Sequence, residues 1–467
     1  MVPSHACLAA LLVSVVALSG CVGSDPEPVP EVPNVESRSP EGPHVALDGN
    51  MTFVSSVVGP AVHYGVGLYE PTIDVSGSGV IYISAHTAGV DTTGAPAFFS
   101  DDDGATWKQL PFAGPVVAPE PVHGGTPPPS DEIFIVAGDD GQAWGVDITL
   151  LTFPVNGWCD DGGRHCHHNP NAYERTDTLC SPVSLNDRPW AAYANGTLLM
   201  VNNPGGGPVQ VGAMQVPPPA YVGLANPVTG PKWNMCASSG GSIPGIPDIR
   251  DDGFFAVPQR QGDAYVVVTG YADDVMAVEE RKVFDYSHVE VSEIGQYGQA
   301  VFDADGTMLF GAMSNSADTA GPGSGGIQLA VSHDDGVTFE THRYDFPQPV
   351  SSIYLDGNKH GPGALINWGQ VDGDRTDWYM GHIMVDEMGE PVIRNATLAV
   401  DDGPDASRHV QGAALGPDGR GYMVMSEVSG NDRMESLEQA GMTPMSVVVQ
   451  ADGPRLPVLD VATAENR

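Results

Sequence analysis

The sequence predicts an all-β chain folded as a β-propeller of six or seven four-stranded blades, with seven favoured. Three observations lead there. The 467 residues include 58 Gly and 41 Pro, and no stretch holds a sustained helical period. A unit of apolar strand, tight turn and second apolar strand recurs about seven times. A nine-residue turn occurs twice in nearly the same form.

The recurring unit begins as Glu70-Pro71-Thr72-Ile73-Asp74-Val75, turns at Gly77-Ser78-Gly79 and resumes at Val80-Ile81-Tyr82-Ile83. The second copy is Asp131-Glu132-Ile133-Phe134-Ile135-Val136, turning at Asp139-Asp140-Gly141. The third is Asp187-Arg188-Pro189-Trp190-Ala191-Ala192, turning at Asn195-Gly196. A fourth starts at Asp252-Gly253-Phe254-Phe255, and a fifth at Tyr297-Gly298-Gln299-Ala300. The sixth begins at His360-Gly361-Pro362-Gly363-Ala364, and the last at Arg408-His409-Val410-Gln411. Each copy is long enough for a four-stranded sheet, and radial repetition of such sheets makes a propeller. Residues 51–58 are expected to pair with residues 445–450 and close the ring, which removes exposed edges. Residues 158–185 and 204–247 read as long loops.

The repeated turn is Phe99-Ser100-Asp101-Asp102-Asp103-Gly104-Ala105-Thr106-Trp107 and Val331-Ser332-His333-Asp334-Asp335-Gly336-Val337-Thr338-Phe339. Both read Ser-x-Asp-x-Gly-x-Thr-aromatic, with Phe339 where the first copy has Trp107. An Asp side chain closes such a turn on backbone amides, and Gly supplies the positive φ. Thr and the aromatic residue then restart a strand. This pattern resembles the Asp box of BNR-repeat, sialidase-like propellers.

The resemblance implies a site as well as a fold. Sialidases clamp a substrate carboxylate with three arginines, a task suited to the guanidinium fork. They use a Tyr nucleophile with a carboxylate partner and a separate acid. Carried onto this chain, the catalytic set is Tyr297, Glu293 and Asp187, with Glu70 as a second candidate acid. The clamp is Arg188, Arg408 and Arg375. The chain departs from the pattern at one point: no Arg-Ile-Pro motif precedes the first box, where Glu70-Pro71-Thr72 stands instead.

In a propeller the chain passes the channel mouth just before each inner strand. The residues there form a ring, expected to comprise Glu70, Asp131, Glu132, Asp187, Arg188, Asp251, Asp252, Tyr297, His360, Arg408 and His409. The candidate binding residues are therefore Arg188, Arg375, Arg408, Glu70, Asp252, His360 and His409. The boxes lie at outer hairpins and are read as structural.

Charge narrows the partners. Nineteen basic and 59 acidic residues give 19 − 59 = −40. Such a surface repels nucleic acid, whose binding needs Lys and Arg against phosphate. It suits a salty habitat, or an acidic surface that attracts cations. No cofactor or metal is expected. Asp101-Asp102-Asp103 and Asp372-Gly373-Asp374-Arg375-Thr376-Asp377 offer oxygen ligands for Ca²⁺, but no run has the complete EF-hand pattern.

The amino-terminal region reads as an export signal. The apolar run from Leu8 to Leu18 is too short to span a bilayer and ends in Leu18-Ser19-Gly20-Cys21. That ending resembles a lipobox, which makes Cys21 the lipidated residue, although Met1 to Cys7 contains no Lys or Arg. The predicted divisions are a signal peptide over 1–20, a Pro/Glu-rich tether over 21–45, the propeller over 46–455 and a tail over 456–467. No later segment is apolar enough for a transmembrane helix.

Cys159, Cys166, Cys180 and Cys236 then remain, an even number that reads as two disulfides in an exported protein. Cys159–Cys166 with Cys180–Cys236 is the favoured pairing. The rival is a metal site, from Cys159-Asp160-Asp161 and His165-Cys166-His167-His168, which lack the usual zinc spacing.

The expected protein is a cell-surface, lipid-anchored monomer that binds a glycan or a protein at the channel mouth. The alternatives are an exo-acting, sialidase-like glycoside hydrolase on acidic sugars and a structural envelope component.

Overall fold

The computed structural model describes residues 47–58, 68–87, 97–110, 132–138, 141–148, 155–160, 165–168, 190–202, 209–215, 233–238, 243–285, 298–314, 325–373, 375–400, 407–428 and 445–459. All of its regular structure is strand. The chain opens with β1 (Thr52–Val58), then runs through successive meanders. The first is β2 (Leu68–Val75), β3 (Ile81–Thr87), β4 (Ala97–Ser100) and β5 (Lys108–Gln109). The second is β6 (Glu132–Ala137), β7 (Ala143–Ile148), β8 (Val155–Asp160) and β9 (His165–His168). The third is β10 (Trp190–Ala194), β11 (Thr197–Asn202), β12 (Gln210–Gln215) and β13 (Trp233–Ser238). The fourth is β14 (Ile243–Pro244), β15 (Asp248–Ile249), β16 (Phe254–Gln261), β17 (Ala264–Tyr271) and β18 (Glu279–Asp285). The fifth is β19 (Gln299–Phe302), β20 (Met308–Met313), β21 (Gly325–Ser332) and β22 (Glu340–Phe346). The sixth is β23 (Val350–Gly357), β24 (Ala364–Asp372), β25 (Arg375–Val385) and β26 (Pro391–Val400). The last is β27 (Ser407–Leu415), β28 (Gly421–Val428) and β29 (Met445–Asp452), completed by β1.

The architecture is a β-propeller. Among the described residues the strands form six hydrogen-bonded sheets, one fewer than the seven favoured from the repeats. The first two meanders account for the difference. They share an eight-stranded sheet, joined through the single pair His86–Glu132. The ring closes through β1, which pairs antiparallel with β29 from Thr52–Asp452 to Val58–Met445. All these strands belong to one compact unit, Gly42–Arg467; the other unit, Met1–Glu41, lies outside the described residues.

The strand sequences explain their depth. β17 reads Ala-Tyr-Val-Val-Val-Thr-Gly-Tyr, and its six central residues are all buried. A strand covered on both faces needs a continuous apolar run rather than an alternating one. β18, the outermost strand of the same meander, carries Glu279, Glu280, Arg281, Lys282 and Asp285 and is largely exposed. Charged side chains on an edge discourage pairing with another chain. Between sheets the core is apolar: Leu309, Leu329, Ile353, Leu355, Ile366 and Trp368 pack together where the fifth and sixth meanders meet.

Two expected loops contain strands. Residues 158–185 include β9 and part of β8, and residues 204–247 include β12, β13 and β14. The β9 sequence His-Cys-His-His and the β13 sequence Trp-Asn-Met-Cys-Ala-Ser lack β-branched residues, so neither gave a strand signal.

The two repeated turns have the same hydrogen bonds. The Gly104 amide donates to Oγ of Ser100 at 2.9 Å, and the amide and hydroxyl of Thr106 donate to Asp102 at 2.8 and 2.6 Å. In the second turn Gly336 donates to Ser332 at 2.9 Å, and Thr338 to Asp334 at 2.8 and 2.7 Å. The fourth motif residue and the glycine both take positive φ, 57° and 83° at Asp103 and Gly104, and 57° and 80° at Asp335 and Gly336. Thr106 and Ser100 hold the Asp102 carboxyl below its ordinary range, and Thr338 does the same for Asp334.

Each turn is also tied to the preceding meander by an arginine. Arg250 follows β15 and reaches Asp335 at 2.7 Å; Arg420 precedes β28 and reaches Asp103 at 3.2 Å. Arg250 also lies over the rings of Phe254 and Phe302, at 4.6 and 5.4 Å. Arg250→Ala is expected to cost about 1–2 kcal/mol, from the cation–π contacts and a half-exposed ion pair. A denaturant midpoint equal to wild type would refute this tie.

Candidate functional site

The inner strands β2, β6, β10, β15, β19, β23 and β27 converge on the axis around a cavity of about 150 Å³. Its walls come from these strands, from the turns that follow several of them, and from Ile246 and Pro247 before β15. Thr72 to Val75 of β2, Tyr354 to Gly357 of β23 and Gly412, Ala413 and Leu415 of β27 all contribute. The space is narrow because the inner strands approach closely. A Cβ on Gly357 would lie 2.0 Å from the Phe302 carbonyl oxygen, so only glycine fits there.

Three carboxylates and one ammonium line this cavity. Asp74, Asp248 and Asp356 each stand near the carboxyl end of an inner segment, and Lys359 stands in the turn after β23. Each carboxylate accepts a backbone amide from the next meander. Ala137 donates to Asp74 Oδ2 at 2.8 Å, Phe302 to Asp248 Oδ2 at 2.7 Å and Leu415 to Asp356 Oδ2 at 2.6 Å. Asp303, just beyond β19, repeats the pattern by accepting the Gly363 amide at 3.1 Å. The carboxylates thus act as staples between neighbouring inner strands, satisfying amides that no ladder reaches.

The electrostatics is uneven. Lys359 Nζ lies 2.6 and 2.7 Å from the two oxygens of Asp248. Among the described residues Asp356 has no such partner. Burial pushes its carboxyl up to about 8, the Asp74 charge adds to this, and the Leu415 amide and Lys359 oppose it. Burial also pushes Asp74 up to about 6, held back by the amides of Ala137 and Val75. At neutral pH Asp356 therefore carries a proton, and Oδ1 is the oxygen the Leu415 amide leaves free.

The sequence-derived candidates fall into three groups. Tyr297, Glu293, Asp187 and Arg188 lie outside the described residues, as do Cys21 and Cys180. Glu70, Arg408 and His409 lie near the beginnings of β2 and β27, where the ring was expected. Arg375 begins β25, the third strand of its meander, so it does not belong to the inner-strand ring. Asp252 and His360 sit at the opposite end from the expected one. Asp252 is in the β15–β16 turn, bonded to Arg250 at 2.8 Å; His360 is in the β23–β24 turn and lines the cavity.

Both displacements have one cause. The sequence reading took the second strand of the fourth and sixth meanders for the first. Pro244 and Pro247 break the fourth meander's inner segment into two short pieces, since proline interrupts a ladder. The sixth begins Val-Ser-Ser, which hides the apolar part of β23.

Other candidate groups are engaged or only partly placed. Asp101 pairs with Lys108 at 2.9 Å, Asp102 closes its turn and Asp103 meets Arg420. Among the described residues no three His, Cys, Asp or Glu are grouped to hold a metal ion. Cys159 and Cys166 stand opposite one another in the β8–β9 register, and Cys236 stands opposite Gly212. No described helix is long and apolar enough to cross a membrane.

Asp74, Asp248, Asp356 and Lys359 were missed as site residues. A signal for the acids was present: Ile73-Asp74-Val75, Pro247-Asp248-Ile249 and Leu355-Asp356-Gly357 share a pattern. Aligning the ends of the inner segments, rather than their beginnings, would have found it.

No protein-family model matches the chain, and no curated protein matches it. Solved structures do resemble it. The NanB sialidase of Streptococcus pneumoniae is 10% identical, over 85% of this chain and 70% of that one, with a TM-score of 0.44. The phage phi92 endosialidase is 12% identical, over 88% and 70%, with a TM-score of 0.43. U3-55K is 10% identical, over 85% and 98%, with a TM-score of 0.47.

Proposed function

We propose that this propeller is a glycan-binding module of the cell exterior, and that it does not take acidic sugars. One observation carries the reading: the described cavity wall holds three carboxylates and one lysine that is already paired, with no arginine. An acidic sugar needs a cation to receive its carboxylate, and like charges there cost several kcal/mol. A sugar without a carboxylate finds a hydrogen-bonding carboxyl in Asp356 and an amide in Gln299. The exported location, the lipid on Cys21, the monomeric state and the Cys159–Cys166 disulfide belong to the same proposal. The Leu18-to-Cys21 sequence and the Cys159–Cys166 register support them.

The competing reading is a hydrolase working through Tyr297, Glu293 and Asp187. A glycan array and a panel of fluorogenic glycosides, applied to the full-length protein, separate the two. The expected result is saturable binding of glycans lacking carboxylates, and no turnover of sialosides. Sialoside hydrolysis abolished by Tyr297→Phe would replace the binding reading with the enzymatic one.

A further inference from the structure

We infer that the axial cavity receives the ammonium group of an amino sugar, seated between Oδ1 of Asp356 and the side-chain amide of Gln299. This rests on the glycan-binding reading and names the sugar class it takes.

The first observation is Gln299. It is 3% exposed and lines the cavity, and its side-chain amide makes no hydrogen bond with any described residue. An amide that borders the cavity with no hydrogen-bond partner among the described residues leaves both of its polar groups available to an occupant. Its carbonyl oxygen accepts and its nitrogen donates.

The second observation is the charge count. Asp74, Asp248 and Asp356 face the cavity from β2, the β15 segment and β23, and Lys359 faces it from the turn after β23. His360, next to Lys359 in sequence, also lines it. Lys359 is held by both oxygens of Asp248, which leaves Asp74 without a counter-ion of its own among the described residues and Asp356 neutralised only by its proton. The two backbone amides on Asp74 occupy its oxygens, one each. Among the described residues Asp356 has only the Leu415 amide, on Oδ2, so Oδ1 is the open acceptor once ionised. An incoming ammonium is the ion that relieves this arrangement, while an anion meets repulsion.

The third observation is size. About 150 Å³ is smaller than the roughly 300–1,000 Å³ of pockets that enclose drug-sized ligands. It fits one charged substituent and part of its ring, with the rest of the glycan outside. Binding an ammonium drives Asp356 to its ionised form, so a proton is released to solvent as the complex forms.

The test is titration calorimetry on the full-length protein at pH 7, with glucosamine, N-acetylglucosamine, glucose and N-acetyl-lysine amide. Two buffers of different ionisation enthalpy report the proton. Glucosamine is expected to bind at least tenfold more tightly than the other three, with net proton release. Asp356→Asn, which keeps an acceptor for Leu415, is expected to lose at least tenfold and to abolish the release. Gln299→Met is expected to lose severalfold. Equal binding of glucose, or an unchanged glucosamine affinity in Asp356→Asn, would overturn the inference while leaving the glycan-binding reading intact. Tighter binding of N-acetyl-lysine amide would assign the site to a peptide instead. If the array also shows no glycan bound, the reading beneath the inference falls with it.

Discussion

Asp248→Ala is expected to destabilise the propeller by about 3 kcal/mol. The carboxylate is buried, at 8% exposure, and makes two kinds of connection. It accepts the Phe302 amide of the next meander at 2.7 Å and the Lys359 ammonium at 2.6 and 2.7 Å. Truncation strands a buried amide and leaves a cation without its partner. Breaking a buried pair on one side costs about 3–5 kcal/mol, and the partial exposure of Lys359 places this case at the lower end. Asp248→Asn separates the two losses. Its amide oxygen still accepts from Phe302, so about 1 kcal/mol is expected, a charge-assisted bond exchanged for a neutral one. Equal losses in the two variants, measured by urea unfolding, would show that the ion pair and not the staple matters.

Asp356→Asn is expected to act in the opposite direction at high pH. The native carboxyl sits at about 8, against about 3.9 for an unfolded Asp. The native state therefore holds this proton more tightly than the unfolded chain. The stabilisation is fully present below about pH 4 and is lost as pH rises through 8. Asp74 adds a change of the same sign that ends near pH 6. Asparagine removes the ionisation but keeps an acceptor for Leu415. The variant should gain on the order of 2 kcal/mol over wild type at pH 8.5, with little difference at pH 4.5; water in the cavity keeps the gain below the full shift. Parallel stability curves for wild type and variant between these pH values would contradict a raised Asp356.

Much of the fold was legible because it repeats. Residues 51–58 and 445–450 were apolar segments without local partners, and they pair as β1 and β29. The two turn motifs could be read because their bonds are local: Ser100 to Gly104, and Asp102 to Thr106. Their attachment could not, since Arg250 and Asp335 are 85 residues apart. The site was harder for a related reason. A channel lining is set by where each strand ends on the axis, and apolar pattern marks that poorly. At β15 only Asp248 and Ile249 hold the inner position, so the apolar run Phe254-Phe255-Ala256-Val257 drew the alignment one strand outward. The same slip placed His360 before a strand it follows. Asp356 is invisible as a titrating group in sequence, because its pKa depends first on its burial in the cavity and then on Asp74, 282 positions earlier.

The closure by β1 gives the ring one separable part. β29 carries Val447, Val448 and Val449, all buried, and β1 covers the side of that strand that β28 does not. Without β1 those valines would border an open edge rich in β-branched residues, the kind of edge that recruits a strand from elsewhere. The nearest match in sequence and register is β1 of another copy. A chain whose own β1 is displaced can therefore be completed by its neighbour's, and two such chains would trade strands while each propeller stayed whole.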